Sequence, residues 1–208
     1  MNIIILGDKY QKRMKSKGCV GLIKYNNKNI FIHQYKTIRS VFPKAHIVYV
    51  YGFDSKRFVS YVNKNITDDE GLKLIHNSKY ETHNNVYSLN LVAELLNDHC
   101  IIFFGDNIIK PSIFNNFHTT KESQIFINKK TKTRLGCIIN NNQIANISYD
   151  LDNYLSEVYY ISKHQINQFK ELVSNPKNHN NFIFEIFNKM IDMNQSIIPF
   201  STVNKQYA

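Results

Sequence analysis

The sequence predicts an α/β protein with a mostly parallel central sheet flanked by helices. Residues 3–6, 45–52 and 100–104 are short apolar runs rich in β-branched and aromatic side chains, which is typical of strands buried on both faces. Patterns of helical period lie between these runs. Strand and helix therefore alternate along the first half of the chain, and such alternation is typical of parallel strands joined by right-handed crossovers.

The first strand is followed by a basic loop and then by a helix. Apolar and aromatic side chains recur at helical spacing over residues 30–42, and Pro43 cannot continue the pattern. The tripeptide at 26–28, just before this helix, has the composition of a turn. After the second strand, residues 55–62 are compatible with a shorter helix.

The alternation continues through the middle of the chain. Residues 72–75 are a weaker strand candidate. The pattern over 86–96 predicts an amphipathic helix, with Asn84 and Asn85 as its N-terminal caps. Beyond residue 120 we expect three short strands and then two helices, at 124–128, 136–140, 144–148, 164–173 and 182–193.

The composition is that of one folded domain spanning residues 1–208. Hydrophobic residues make up 43% of the chain, which is enough to exclude a disordered protein, and the low content of Gly (7) and Pro (4) excludes a linker-rich one. The three cysteines are far apart and indicate neither a disulfide framework nor a zinc site. No secretory signal or membrane-length apolar run is visible. We therefore expect a cytoplasmic protein with no membrane partner. The high content of Asn, Ile and Lys is typical of proteins from microbes or viruses with AT-rich genomes. A viral protein of this kind would be expected in the cytoplasm of the host.

The charge balance predicts an anionic partner. Lys and Arg number 26 against 16 Asp and Glu, which gives a net charge of +10. Such a molecule attracts polyanions or phosphorylated small molecules, and charge alone does not choose between them. Nucleic acid is the less favoured partner, although charge does not exclude it.

Candidate chemistry lies at the ends of the predicted strands, because ligands of open α/β sheets bind outside the carboxyl ends of the strands. Arg13, in the basic loop after the first strand, has the forked guanidinium that suits phosphate oxygens. Asp106 follows the strand at 100–104 and is placed to bind Mg²⁺. The alternatives are a solvated basic loop and a simple Gly-Asp turn. Asp150 and Asp152 form a D-x-D pair of the kind found in glycosyltransferases, but a surface turn explains it better.

Two segments resemble the nucleotidyltransferases that activate sugar phosphates or phosphocholine. The order of a buried strand, an Arg-containing loop, LIKYNNKNIFIHQ and AHIVYVYGF is similar to the opening of that family. Residues 77–109, NSKYETHNNVYSLNLVAELLNDHCIIFFGDNII, are similar to its N-x-x-Y-x-x-x-N-N-x-Y-S-L segment that ends in GD. The resemblance covers about residues 1–200 and implies a Rossmann-like, GT-A-like fold.

The resemblance also implies a reaction and a set of site residues. A substrate phosphate would attack the α-phosphorus of a nucleoside triphosphate, and pyrophosphate would leave. The acceptor would be a sugar 1-phosphate or phosphocholine. The resemblance implies that the nucleotide base lies against Leu6, Gly7 and Ser88. It also implies that Arg13 contacts the triphosphate and that Asp106 binds Mg²⁺.

The sequence also departs from the family pattern. Gly7 is the only glycine of a loop that is glycine-rich in the family, and positions 18–21 replace the family's Pro-Lys. We expect Lys15 or Lys17 to take the place of the catalytic lysine. The family's second metal-binding Asp has no match before Ala208, and the residues considered for its role are Glu185, Asp150 and Asp152. An inactive relative that binds ligands or an assembly partner is therefore the main alternative, and a glycosyltransferase is a third.

Overall fold

The computed structural model describes residues 1–9, 16–67, 69–128 and 133–201. Within these residues the chain forms eleven strands and five α-helices. The strands are β1 (Asn2–Gly7), β2 (Lys24–Tyr25), β3 (Lys28–Asn29), β4 (His46–Tyr51), β5 (Leu72–His76), β6 (Cys100–Phe104), β7 (Ser123–Ile127), β8 (Leu135–Asn140), β9 (Gln143–Tyr149), β10 (Leu155–Ile161) and β11 (Ile197–Ser201). The helices are α1 (Ile30–Val41), α2 (Ser55–Asn65), α3 (Asn85–Asn90), α4 (Ile166–Ser174) and α5 (Ile183–Asp192).

A seven-stranded sheet organises the molecule, in the order β11-β7-β10-β6-β1-β4-β5. Strand β1 pairs in parallel with β4 and β6, and β4 pairs in parallel with β5. Strand β10 runs antiparallel between β6 and β7, while β11 is parallel to β7. Two short hairpins, β2-β3 and β8-β9, lie outside this sheet. The predicted α/β class and mostly parallel sheet are confirmed.

Both faces of the sheet are covered, which explains the continuous apolar run of β1. Ile4 belongs to a core cluster that includes side chains of α3, α4 and α5. Ile3 and Ile5 point to the other face and belong to a cluster that includes side chains of α1 and α2. Alternate residues of one strand thus contact opposite apolar layers, so the middle of this strand is apolar at consecutive positions.

The expected helix over 86–96 is wrong in its length and in its caps. Helix α3 ends at Asn90 and is followed by a single 3₁₀ turn, Ala93–Leu95. Asn84 precedes the helix, but its side chain makes no capping hydrogen bond and instead donates to the carbonyl oxygen of Asn180 at 2.6 Å. Asn85 is the first helical residue and not a cap. A tertiary contact therefore replaces the local one.

Strands β10 and β11 were not expected from the sequence. Strand β10 contains two polar residues, Ser156 and Glu157, directly after its first residue, and it has a register shift between Leu155 and Tyr159. Its pattern therefore lacks the regular alternation of a strand. No helix in the described ranges is long and apolar enough to span a bilayer.

Candidate functional site

The sheet topology brings three acidic residues to one edge. Strands β1 and β6 are parallel and end at the same edge, with Leu6 opposite Phe104. Asp8 and Asp106 follow these two ends. Strand β10 runs in the opposite direction and therefore begins at this edge, where it carries Glu157.

A cavity of about 570 Å³ opens at this edge. Its size is within the range of sites that bind small molecules and cofactors. It is lined both by charged and amide side chains and by aromatic side chains. The polar lining residues are Asp8, Lys9, Asn84, Asn85, Asp106, Arg134 and Glu157, and the aromatic ones are Phe104, Tyr149, Tyr159, Phe182 and Phe184.

Close packing at the strand ends requires two glycines. A Cβ on Gly7 would lie 2.0 Å from the hydroxyl oxygen of Tyr49, and one on Gly105 would lie 2.6 Å from the Cα of Gly7. The ends of β1 and β6 can therefore approach each other only without side chains at these positions. Gly7 was predicted as a nucleotide contact, and its packing alone also demands glycine.

Asp8 forms a buried network behind the cavity. Its Oδ2 accepts hydrogen bonds from Asn77 Nδ2 at 2.9 Å and from the Ser88 hydroxyl at 3.0 Å. Burial raises the pKa of Asp8, although these hydrogen bonds act in the opposite direction. Ser88 is itself fully buried and is not one of the cavity-lining residues, whereas Leu6 is. Ser88 thus lies next to the cavity and reaches it through Asp8.

Lys9 joins the end of β1 to the turn that precedes α3. Its ammonium group donates to the carbonyl oxygens of Tyr80 and His83. Burial lowers the pKa of Lys9, and the charge of Asp8 partly offsets that effect. This lysine lines the cavity with its charge already engaged by backbone oxygens.

Asp106 and Glu157 lie at the border of two cavities. Both line the large cavity and also a second one of about 390 Å³. Asp106 is exposed, whereas Glu157 is half-buried. Burial raises the pKa of Glu157, and the nearby charge of Asp106 adds to that rise. The backbone of Glu157 has a φ of +55°, and its carbonyl oxygen accepts a hydrogen bond from Asn107 Nδ2 at 3.1 Å.

Aromatic rings in contact with one another form one wall of the large cavity. Phe182 and Phe184 are nearly parallel, with ring centroids 5.9 Å apart, and Tyr149 meets Phe184 edge-on at 5.6 Å. Tyr149 is 50% exposed and Phe182 is 41% exposed. Arg134 lies in the same lining and supplies a guanidinium group. This wall therefore offers apolar area and a positive charge to a ligand.

Two buried polar atoms in the cavity lining lack partners. Among the described residues, the side-chain oxygen of Asn85 and the hydroxyl oxygen of Tyr159 form no hydrogen bond. Because nearly all buried polar groups in proteins are paired, such atoms are typical of a site that a ligand or water completes.

The predicted cationic residues fall largely outside what the structure describes. Arg13 and Lys15 lie in residues 10–15, which are not among the described ranges. Lys17 is exposed and is not part of the lining of the large cavity.

The residues considered for a second metal ligand lie elsewhere. The Glu185 carboxylate accepts a hydrogen bond from the backbone N–H of Phe182 at 2.6 Å, at the start of α5. Asp150 and Asp152 are exposed in the turn after β9. None of these three residues lines either cavity. Within the described ranges, no group of three or more His, Cys, Asp or Glu side chains is arranged to hold a metal ion.

Sequence reasoning missed Asp8, Arg134, Glu157 and the aromatic wall. Asp8 carried a usable signal, since it directly follows Gly7 at the end of a predicted strand. The other residues carried none, because their place in the site depends on tertiary structure: the antiparallel insertion of β10 for Glu157, and the positions of the β8-β9 hairpin and α5 for Arg134 and the aromatic side chains.

Comparison with known proteins places the fold among nucleotidyltransferases. No model of a protein family matches the sequence. No curated protein matches it either. Solved structures match well, however. The inositol-1-phosphate CTP transferase from T. maritima has a TM-score of 0.79 and 16% identity, over 98% of this chain and 86% of that one.

Two further solved structures have the same architecture. The CTP:phosphocholine cytidylyltransferase from Streptococcus pneumoniae has a TM-score of 0.74 and 16% identity, over 98% of this chain and 90% of that one. The nucleoside-diphosphate-sugar pyrophosphorylase from Vibrio cholerae RC9 has a TM-score of 0.72 and 12% identity, over 97% and 91% respectively. The fold that the sequence resemblance implied is therefore confirmed.

Proposed function

We propose that the chain transfers a nucleotidyl group from a nucleoside triphosphate to a phosphorylated small molecule and releases pyrophosphate. The observation that carries this proposal is the cavity at the carboxyl ends of β1 and β6, with Asp106 at its border. Similarity in fold to nucleotidyltransferases supports the same reaction class. Fold alone does not define the substrates.

Asp106 is the proposed ligand of Mg²⁺. Asp106 is exposed and lines both cavities, so a cation held by its carboxylate would be within reach of ligands in either one. This fits a hard cation that takes one or two carboxylates together with phosphate oxygens. When bound, Mg²⁺ neutralises the negative charge that the phosphates carry in the reaction.

The chain's own residues would position the two substrates. Leu6, Gly7 and Ser88 are the proposed surroundings of the base, with Ser88 acting through Asp8. Arg13, with Lys15 or Lys17, is proposed to neutralise the triphosphate. Arg134, which also lines the large cavity, suits the phosphate of the acceptor, because a guanidinium group binds phosphate oxygens in a bidentate manner. In-line attack on the α-phosphorus needs this alignment and charge neutralisation more than it needs a general base.

A pyrophosphate-release assay tests the reaction directly. The purified chain is incubated with Mg²⁺, a mixture of CTP, UTP, GTP, ATP and dTTP, and sugar 1-phosphates or phosphocholine. We expect release that depends on an acceptor and falls at least about 100-fold in Asp106→Asn, the cost of one well-placed electrostatic group. Glu70→Gln, which removes an exposed carboxylate beside β5, is the control and keeps the parent rate. Release that is absent, or equal in Asp106→Asn and the parent, contradicts the proposal.

Nucleotide binding without turnover is a second candidate function. The observation that favours it is Lys9, whose ammonium group is engaged by two carbonyl oxygens instead of facing a phosphate. In that case the nucleotides bind with Mg²⁺, but no acceptor produces pyrophosphate.

A further inference from the structure

We infer that Glu157 supplies a second carboxylate to a divalent cation bound at Asp106. This inference rests on the proposed function for the identity of the ligand, a divalent cation. The residues that the sequence suggested for this role, Glu185, Asp150 and Asp152, line neither cavity.

Strand pairing places Glu157 beside Asp106. Strand β10 is antiparallel to β6, with Val158 opposite Phe103. Glu157 therefore lies opposite Phe104, the last residue of β6. Asp106 follows Phe104 by two residues. Both residues line both cavities, and the charge of Asp106 acts on Glu157.

The Glu157 side chain is available to a ligand. Within the described part of the chain, its carboxylate accepts no hydrogen bond and forms no ion pair, whereas its backbone carbonyl is held by Asn107. Its φ of +55° is one that residues with a side chain rarely adopt and that glycine adopts without strain. The fold would thus accept glycine here, but the chain has a carboxylate.

The hydroxyl group of Tyr159 is an independent sign of a ligand at this place. Tyr159 is fully buried, two residues beyond Glu157, and lines the large cavity. Its hydroxyl oxygen has no hydrogen-bond partner in the part of the chain that the structure describes. A hydrated cation between Asp106 and Glu157 would bring water molecules to this hydroxyl, and a buried polar atom normally requires such a partner.

The test uses Mn²⁺ alone as the probe, in the absence of nucleotide, with the free ion measured by electron paramagnetic resonance. We expect one Mn²⁺ site in the parent. Asp106→Asn, Glu157→Gln and Glu157→Gly should each weaken it about tenfold or more, because the charge and number of ligands set the affinity for such ions. Asp152→Asn, which removes an exposed carboxylate near the same edge, should stay within about twofold of the parent.

The Glu157→Gly variant shows whether Glu157 binds the cation or only stabilises the fold. Because glycine relieves the positive φ, this variant should melt at the same temperature as the parent or higher, while it loses Mn²⁺. A Glu157→Gln or Glu157→Gly variant that binds Mn²⁺ as the parent does would overturn the inference, as would a parent without a Mn²⁺ site.

The result is independent of the nucleotide chemistry. A chain that binds Mn²⁺ through Asp106 and Glu157 but releases no pyrophosphate supports this inference and contradicts the proposed function. A chain that releases pyrophosphate at the parent rate in Glu157→Gln, with unchanged Mn²⁺ affinity, supports the proposed function and contradicts this inference.

Discussion

Asp8 is both a hydrogen-bonding residue of the fold and an ionisable residue at the edge of the sheet. Its carboxylate is 1% exposed and is held by Asn77 and Ser88. Burial raises its pKa in the folded state. The unfolded chain therefore ionises first as the pH rises, and the folded state loses stability until its own carboxyl group ionises.

We predict that Asp8→Asn becomes more stable relative to the parent as the pH rises from 4 to 7. The asparagine oxygen still accepts hydrogen bonds from Asn77 and Ser88, but it carries no charge. The difference in melting temperature should grow by roughly 2–4 °C for each kcal/mol of relieved penalty. Thermal unfolding of both proteins over this pH range measures it. A difference that is constant with pH, or that shrinks, would show that Asp8 ionises as readily in the folded chain as in the unfolded one.

At the scale of elements, helix α5 depends on a cap that the sequence did not reveal. The Glu185 carboxylate accepts a hydrogen bond from the Phe182 N–H at 2.6 Å, in the first turn, where a negative charge also suits the helix dipole. Phe182 and Phe184 form part of the cavity wall. The start of α5 therefore links a local cap to the shape of the site.

We predict that Glu185→Ala lowers the free energy of unfolding by about 0.5–1 kcal/mol, as the loss of a cap does. Glu185→Gln retains an acceptor oxygen and should lose less. Urea unfolding gives both values, and Mn²⁺ affinity should be the same in both variants and the parent. If Glu185→Ala is as stable as the parent but loses Mn²⁺, the residue is a metal ligand and not a cap.

The strands that the sequence revealed are those with a local signature. Strands β1, β4 and β6 are continuous apolar runs because both of their faces are covered, and such runs are visible without knowledge of their neighbours. Strand β10 contains the polar residues Ser156 and Glu157 near its start and has a register shift, so it has no such signature. Helix α3 was predicted too long because its apolar spacing continues into a 3₁₀ turn.

The residues of the candidate site were likewise predictable only where the local sequence carries a signal. Asp106 could be expected because it follows a buried strand whose carboxyl end faces the ligand side of the sheet. Glu157 could not, because its position beside Asp106 depends on the insertion of β10 between β6 and β7, which is a tertiary property. Arg134 and the aromatic wall likewise depend on how the β8-β9 hairpin and α5 close over the sheet.

At the scale of the whole molecule, the net charge of +10 and the cavity indicate the same kind of ligand. A basic molecule concentrates anions around itself, and this cavity offers them Arg134 together with two carboxylates that suit a bridging cation. The central claim is therefore that a nucleoside triphosphate binds here together with Mg²⁺.

Isothermal titration of the parent and of Asp106→Asn with CTP, UTP, GTP, ATP and dTTP, with and without Mg²⁺, tests this claim most directly. We expect at least one triphosphate to bind the parent and Mg²⁺ to strengthen this binding. Asp106→Asn should lose the effect of Mg²⁺ while it keeps the parent's fold. Triphosphates that fail to bind the parent with Mg²⁺ present, or that bind Asp106→Asn with the same dependence on Mg²⁺, would contradict it.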